Sequence, residues 1–184
     1  QYLELASRCV REGGRTIKDA LAEVREAVDY CRYYAVEADR LFTLPLKLPG
    51  PTGEENYLSR SGRGAMVCIS PWNFPIAIFC GQICAALAAG NTVIAKPATQ
   101  TALTAKRCIQ LLHEAGIPSH VLQFLPAEGA SIAKHLLTIP GLGGVIFTGS
   151  TTTARTINRQ LANHQPAIVP LIAETGGQNV MIAD

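Results

Sequence analysis

Aromatic side chains are scarce in this chain, at 6% of 184 residues, with a single tryptophan. Charge is scarce as well, at 16%, and nearly balanced at a net +2 with the basic residues scattered. There is no basic stripe and no acidic tail, so neither nucleic acid nor an anionic membrane surface is indicated as a partner. The longest apolar run, 76–89, falls short of the ~20 residues that a membrane-spanning helix needs. No signal-peptide pattern opens the chain. The six cysteines show no disulfide-scaffold spacing, which points to a reducing, cytoplasmic compartment. His113, His120, His135 and His164 form no cluster, and Cys80 and Cys84 sit one helical turn apart in an apolar stretch. Core packing is the better reading of that cysteine pair, and no metal site is expected. A Gly-x-Gly-x-x-Gly fingerprint is also missing, which removes the commonest sign of a pyrophosphate-binding turn.

What is present is apolar material: 48% of the residues are hydrophobic, enough for one well-packed domain with a small appendage. Residues 1–12 read as the end of a helix, stopped by Gly13-Gly14. Thr16 reads as the N-cap of the next helix, with Asp19 three residues on. Ile17, Leu21, Val24, Val28, Cys31 and Ala35 recur at helical spacing, with most charged residues, Glu23 among them, on the opposite, solvated face. Residues 43–62 are rich in proline and glycine and suit an extended hairpin. From residue 64 a strand-then-helix rhythm begins. Strand-like runs end near Ser70, Lys96, Pro126, Gly149 and Glu174, separated by helical stretches 76–89, 101–115, 129–138 and 151–161. Near-continuous apolar strands such as Val93-Ile94-Ala95 and Val145-Ile146-Phe147 predict an open parallel sheet with helices on both faces. Right-handed crossovers place every strand's C-terminal end on one edge. Asn73, Lys96, Gly129, Gly149, Ser150 and Glu174 all fall on or just past that edge.

Each of these residues carries a plain reading beside a chemical one. Asn73 sits in Pro71-Trp72-Asn73-Phe74-Pro75, where two prolines impose a non-helical loop. Its amide can donate to an oxyanion or simply close an Asx turn. Lys96 is either a solvated strand-end lysine or a cation facing a ligand. Ser150 is a sound N-cap, and the N–H groups it introduces also suit a phosphate or a ribose; Gly129 opens the preceding helix and permits close approach. Glu174 follows the apolar run 168–173. A carboxylate in apolar surroundings suits general-base work, and the alternative is a glutamate bonded to the glycine turn after it.

The loop 71–75, Lys96-Pro97, Phe147-Thr148-Gly149-Ser150 and Glu174-Thr175-Gly176-Gly177, in that order and spacing, resemble the aldehyde dehydrogenase superfamily over essentially the whole chain. A finer resemblance, to the aldehyde dehydrogenase module of proline utilization A, rests on 22–35, 49–54 and 171–179. The resemblance implies a Rossmann-like NAD-binding domain over 63–184, ending at the start of a catalytic domain. It implies N-terminal helices over 1–42 packed on that domain, and an oligomerisation hairpin within 43–62. Asn73 then completes an oxyanion hole and Glu174 is the general base. Ser70, Pro71, Trp72, Lys96, Thr99, Gly129, Phe147, Thr148, Gly149, Ser150, Thr175 and Gly176 bind NAD. Thr99 departs from the glutamate that many NAD-using relatives carry, which lessens repulsion of a 2′-phosphate and leaves NADP open. The implied reaction is oxidation of L-glutamate-γ-semialdehyde (pyrroline-5-carboxylate) to L-glutamate. FAD belongs only to a proline dehydrogenase domain that this chain does not contain. The implied protein is a homo-oligomer, and this chain is a piece of it, because the family's nucleophilic cysteine lies beyond residue 184. Another NAD(P)-dependent aldehyde dehydrogenase, or a catalytically inert dinucleotide-binding module, remains the alternative.

Overall fold

The computed structural model describes residues 1–177 and 180–182; Gln178 and Asn179, the last two residues of the stretch 171–179, lie outside the described residues. The first helix, α1 (Tyr2–Gly13), ends where Gly14 turns left-handed at φ 64°, a conformation that costs any residue with a Cβ. Thr16 then caps α2 (Ile17–Phe42), its Oγ1 accepting from the Asp19 N–H at 3.2 Å. α2 runs well past the expected end at residue 35, because nothing between Val36 and Phe42 breaks a helix.

The buried face of α2 is not the expected stripe. Ile17, Val28 and Cys31 are exposed, whereas Ala20, Glu23, Val24 and Ala27 are buried. These four also follow helical spacing, but around small residues. Alanines let α2 approach α3 (Ala77–Ala88) closely, and Gly81 of α3 meets the ring of Tyr30. Glu23, expected in solvent, is only 1% exposed.

Two short strands, β1 (Leu46–Leu48) and β2 (Asn56–Leu58), pair antiparallel as a separate, largely exposed hairpin. The main sheet is parallel and five-stranded, in the order β5 (Leu122–Phe124), β4 (Thr92–Lys96), β3 (Ala65–Ile69), β6 (Leu142–Gly149), β7 (Leu171–Thr175). The chain starts in the middle at β3, builds outward through β4 and β5, then crosses back to β6 and β7. The strand order therefore reverses between β3 and β6.

Alternation along the strands sends side chains to both faces. Met66 and Cys68 of β3 join a core with α1, α2, α3 and α4 (Ala102–Glu114), in which α2 meets α3 and α1 meets α4. Val67 and Ile69 join a second core with Ile132, Leu136 and α6 (Thr151–His164). The segment expected as one helix over 129–138 is a single turn, α5 (Gly129–Ser131), followed by a wider π turn, Ile132–Leu136.

Candidate functional site

In an open parallel sheet, helices on both faces diverge where the strand order reverses, leaving a crevice beyond the C-terminal strand ends. Here that crevice is a cavity of about 900 Å³, and every site residue expected from the sequence lines it. The end of β3 contributes Ser70, Pro71, Trp72 and Asn73, and the end of β4 contributes Lys96 and then Thr99. Gly129 comes from the start of α5. Phe147, Thr148 and Gly149 close β6, with Ser150 opening α6, and Glu174, Thr175 and Gly176 come from β7 and the turn after it.

The local chemistry differs from one rim to the next. Lys96 is 8% exposed, and burial alone pushes its ammonium below the ordinary lysine range. Ser70 is buried and its N–H donates to the Lys96 carbonyl at 3.1 Å, tying the two strand ends together. Ser150 is a true N-cap of α6, its Oγ accepting from the Thr153 N–H at 3.2 Å. Thr152 and Thr153 of the first turn also line the cavity, so the positive end of a 14-residue helix faces it. Asn73 is exposed and its side chain hydrogen-bonds to none of the described residues, so the Asx-turn alternative does not hold there.

Glu174 departs from expectation in its surroundings. Among the described residues β7 is an edge strand; Ile172 on it is 53% exposed, Ile168 before it 97%, and Glu174 is itself exposed. The described residues do not provide the apolar enclosure that a run of hydrophobic residues suggested, because β7 has a neighbour on one side only.

None of the six cysteines lines the cavity. Cys68, nearest to it in sequence, lies inside β3 and burial pushes its thiol up to about 12. Cys80 is part of the core, as expected. No group of three or more potential metal ligands occurs among the described residues.

Gln82 and Glu23 are two of the buried polar residues that sequence alone does not assign to the site. Gln82 of α3 donates to the Ile69 carbonyl at 3.3 Å and to Thr148 Oγ1 at 3.0 Å, linking the ends of β3 and β6 behind the cavity. Its signal was present: a lone polar residue within an apolar helix. Glu23 accepts from the N–H groups of Ile76 and Ala77 at 2.8 and 3.3 Å, directly after the 71–75 loop. Counting alanine as apolar exposes the stripe 20-23-24-27 and would have placed Glu23 inside.

The cavity fits a dinucleotide. Its volume is at the upper end of small-molecule sites, a buried cation and a helix N-terminus serve hydroxyls and phosphates, and a Cβ at Gly129 would meet nothing within 4 Å. An open parallel sheet with a ligand crevice at its switch point is the architecture of a dinucleotide-binding enzyme domain. The chain belongs to the aldehyde dehydrogenase family, whose sequence profile matches residues 2–184. Members of that family are normally NAD(P)-dependent and act on aldehydes. The chain is 51% identical to the "Bifunctional protein PutA" of Rhizobium meliloti over 95% of its length. It is 35% identical to the 1-pyrroline-5-carboxylate dehydrogenase of Bacillus subtilis over 98%. It spans 13% of the former and 36% of the latter. Among solved structures, a Bradyrhizobium japonicum proline utilization A variant superimposes at TM-score 0.90 with 55% identity, over 94% of this chain and 18% of that one. No helix among the described residues is long and apolar enough to cross a membrane.

Proposed function

We propose that these residues form the cofactor-binding part of an NAD-dependent dehydrogenase that oxidises L-glutamate-γ-semialdehyde, the open form of pyrroline-5-carboxylate, to L-glutamate. The observation that carries this reading is the convergence of Asn73, Lys96, the α6 N-terminus and Glu174 on one cavity. The names borne by the relatives support the choice of substrate. Bound in the cavity, the dinucleotide supplies the hydride acceptor. Lys96 and the first turn of α6 would hold its hydroxyl and phosphate groups, with Trp72 and Phe147 forming apolar walls. Thr99 is neutral and exposed on the rim, so a 2′-phosphate meets no carboxylate there and NADP is an acceptable second cofactor.

The nucleophile in this reading is a cysteine thiolate outside residues 1–184, since none of the cysteines present lines the cavity. As its sulfur bonds to the aldehyde carbon, the carbonyl oxygen becomes an oxyanion, and the unpartnered Asn73 amide donates to it. Loss of hydride from that carbon leaves a thioester. Glu174 takes a proton from the water that attacks the thioester, the C–S bond breaks, the thiolate departs and the carboxylate is released. The exposed β1–β2 hairpin, too small to be stable alone, serves as an oligomer contact in the same reading.

The test uses the enzyme that contains this chain. Asn73→Ala should slow the first NADH burst on the order of a hundredfold or more. Glu174→Gln keeps shape and hydrogen bonding but cannot accept the proton. It should give one NADH per site and then stall, with thioester hydrolysis slowed by about two to four powers of ten. A Glu174→Gln enzyme that binds NAD and turns over at the parent rate removes Glu174 from the reaction.

A further inference from the structure

We infer that Glu23 and Arg15, from the N-terminal helical region, are positioning residues for Asn73 and hold its loop from behind; this rests on the proposed role of the Asn73 amide. That amide is exposed and bonds to none of the described residues, so its direction is set by its neighbours. On its C-terminal side, Pro75 is buried and α3 begins. The N-cap position of α3 is Ile76, which has no capping side chain, where Ser, Thr, Asp or Asn is usual. The cap comes instead from far away in sequence: Glu23 Oε1 accepts from the N–H groups of Ile76 and Ala77.

The other carboxylate oxygen reaches the loop by a second route. Glu23 Oε2 lies 3.2 Å from Arg15 Nε, an ionic contact without the geometry of a hydrogen bond. The guanidinium of Arg15 in turn lies over the Phe74 ring, 4.3 Å from its centroid. On the two sides of Asn73, the Trp72 carbonyl and the Pro75 ring pack against Gly13, where a Cβ would stand 3.6 and 3.4 Å from them. Residues 13, 15 and 23 thus hold the Trp72 carbonyl, Phe74, Pro75 and the helix start, while the side chain of Asn73 stays free to face the cavity.

The carboxylate matters for its charge as well as its shape. Full burial raises the pKa of Glu23 above the ordinary carboxylate range, and the two backbone amides and Arg15 offset that only in part. Glutamine in its place keeps one acceptor for the α3 amides but turns an NH₂ toward the guanidinium. Arg15 is then released from the carboxylate, and Phe74 loses its cover. An oxyanion donor works only when it is aimed before the reaction begins, and a displacement of about 1 Å can cost a hundredfold in rate.

A double-mutant cycle in the enzyme that contains this chain tests the inference. Glu23→Gln should slow the NADH burst by about tenfold to a hundredfold, and the same change in an Asn73→Ala background should slow it no further. If Glu23→Gln does not fold, Arg15→Leu, at a partly exposed site, takes its place in the cycle. Additive losses, or a parental burst in the single variant, overturn the inference. A parent enzyme without any aldehyde-dependent burst sinks the functional reading instead, and the positioning role is then judged on the loop itself. Amide hydrogen exchange of the peptide that carries Trp72 to Ala77, read by mass spectrometry in the same enzyme, should quicken in Glu23→Gln and Arg15→Leu with far-UV circular dichroism unchanged; unchanged exchange in both variants overturns the role.

Discussion

At the scale of single residues, Lys96 shows what a buried cation costs the fold. A buried ammonium loses hydration, and desolvation is the cause of its lowered pKa. The sign follows from linkage. A base with a depressed folded-state pKa binds fewer protons folded than unfolded, so its penalty is full at neutral pH and fades as pH rises through the folded and then the unfolded value. Lys96→Met should therefore stabilise the fold at pH 7 by on the order of 1 kcal/mol, with the gain shrinking toward pH 10, while weakening NAD binding. Chemical denaturation at several pH values and cofactor titration check both halves. Lys96 was legible in sequence because a cation just past an apolar strand, and before a proline, has little reason to be there for packing. Glu23 falls on the solvated face when hydrophobic spacing is traced through Ile17, Val28 and Cys31, and on the buried face once Ala20 and Ala27 are counted as apolar.

At the scale of elements, the contact between α2 and α3 carries a second consequence. Cys31 Sγ lies 3.5 Å from Cys84 Sγ across that contact. The S–H of half-buried Cys84 stabilises a thiolate on exposed Cys31, so Cys31 is lowered to about 7 while Cys84 is raised. Burial pushes Cys9 and Cys68 up to about 12. Iodoacetamide should therefore label Cys31 first, with a pH midpoint about 7. Cys84→Ala should move that midpoint toward the ordinary ~8.5 of a free thiol. Mass-spectrometric mapping over a pH series decides it, and an unmoved midpoint would show that the sulfur contact does not tune Cys31. Sequence spacing placed Cys80 and Cys84 on one helix but could not reveal Cys31 opposite, because that contact joins residues far apart in the chain.

At the scale of the whole molecule, the cavity has an amide donor, a cation, a helix N-terminus and a carboxylate, but no thiol among the described residues. The 184-residue chain by itself should bring no NADH out of NAD and an aldehyde, whatever its affinity for the cofactor. Absorbance at 340 nm with purified chain is the measurement; aldehyde-dependent turnover, free of contaminating enzyme, would mean that one of the present cysteines reaches the cavity.

The linear order of residues was enough for the parallel sheet, the helices on both faces and the set of groups at its C-terminal edge. Strand-helix alternation permits few topologies, and each forces strand ends to one side. Glycine and proline signals also fixed the stops of α1 and the course of the 71–75 loop, because their effects on φ and ψ are local. The three-dimensional arrangement decided the rest. The strand order, with its reversal between β3 and β6, depends on which crossover packs on which face. The exposure of Glu174 depends on β7 being an edge. The cap on α3 depends on a carboxylate from another helix, and no local rule shows that a helix with Ile76 at its N-cap is held at its start by Glu23.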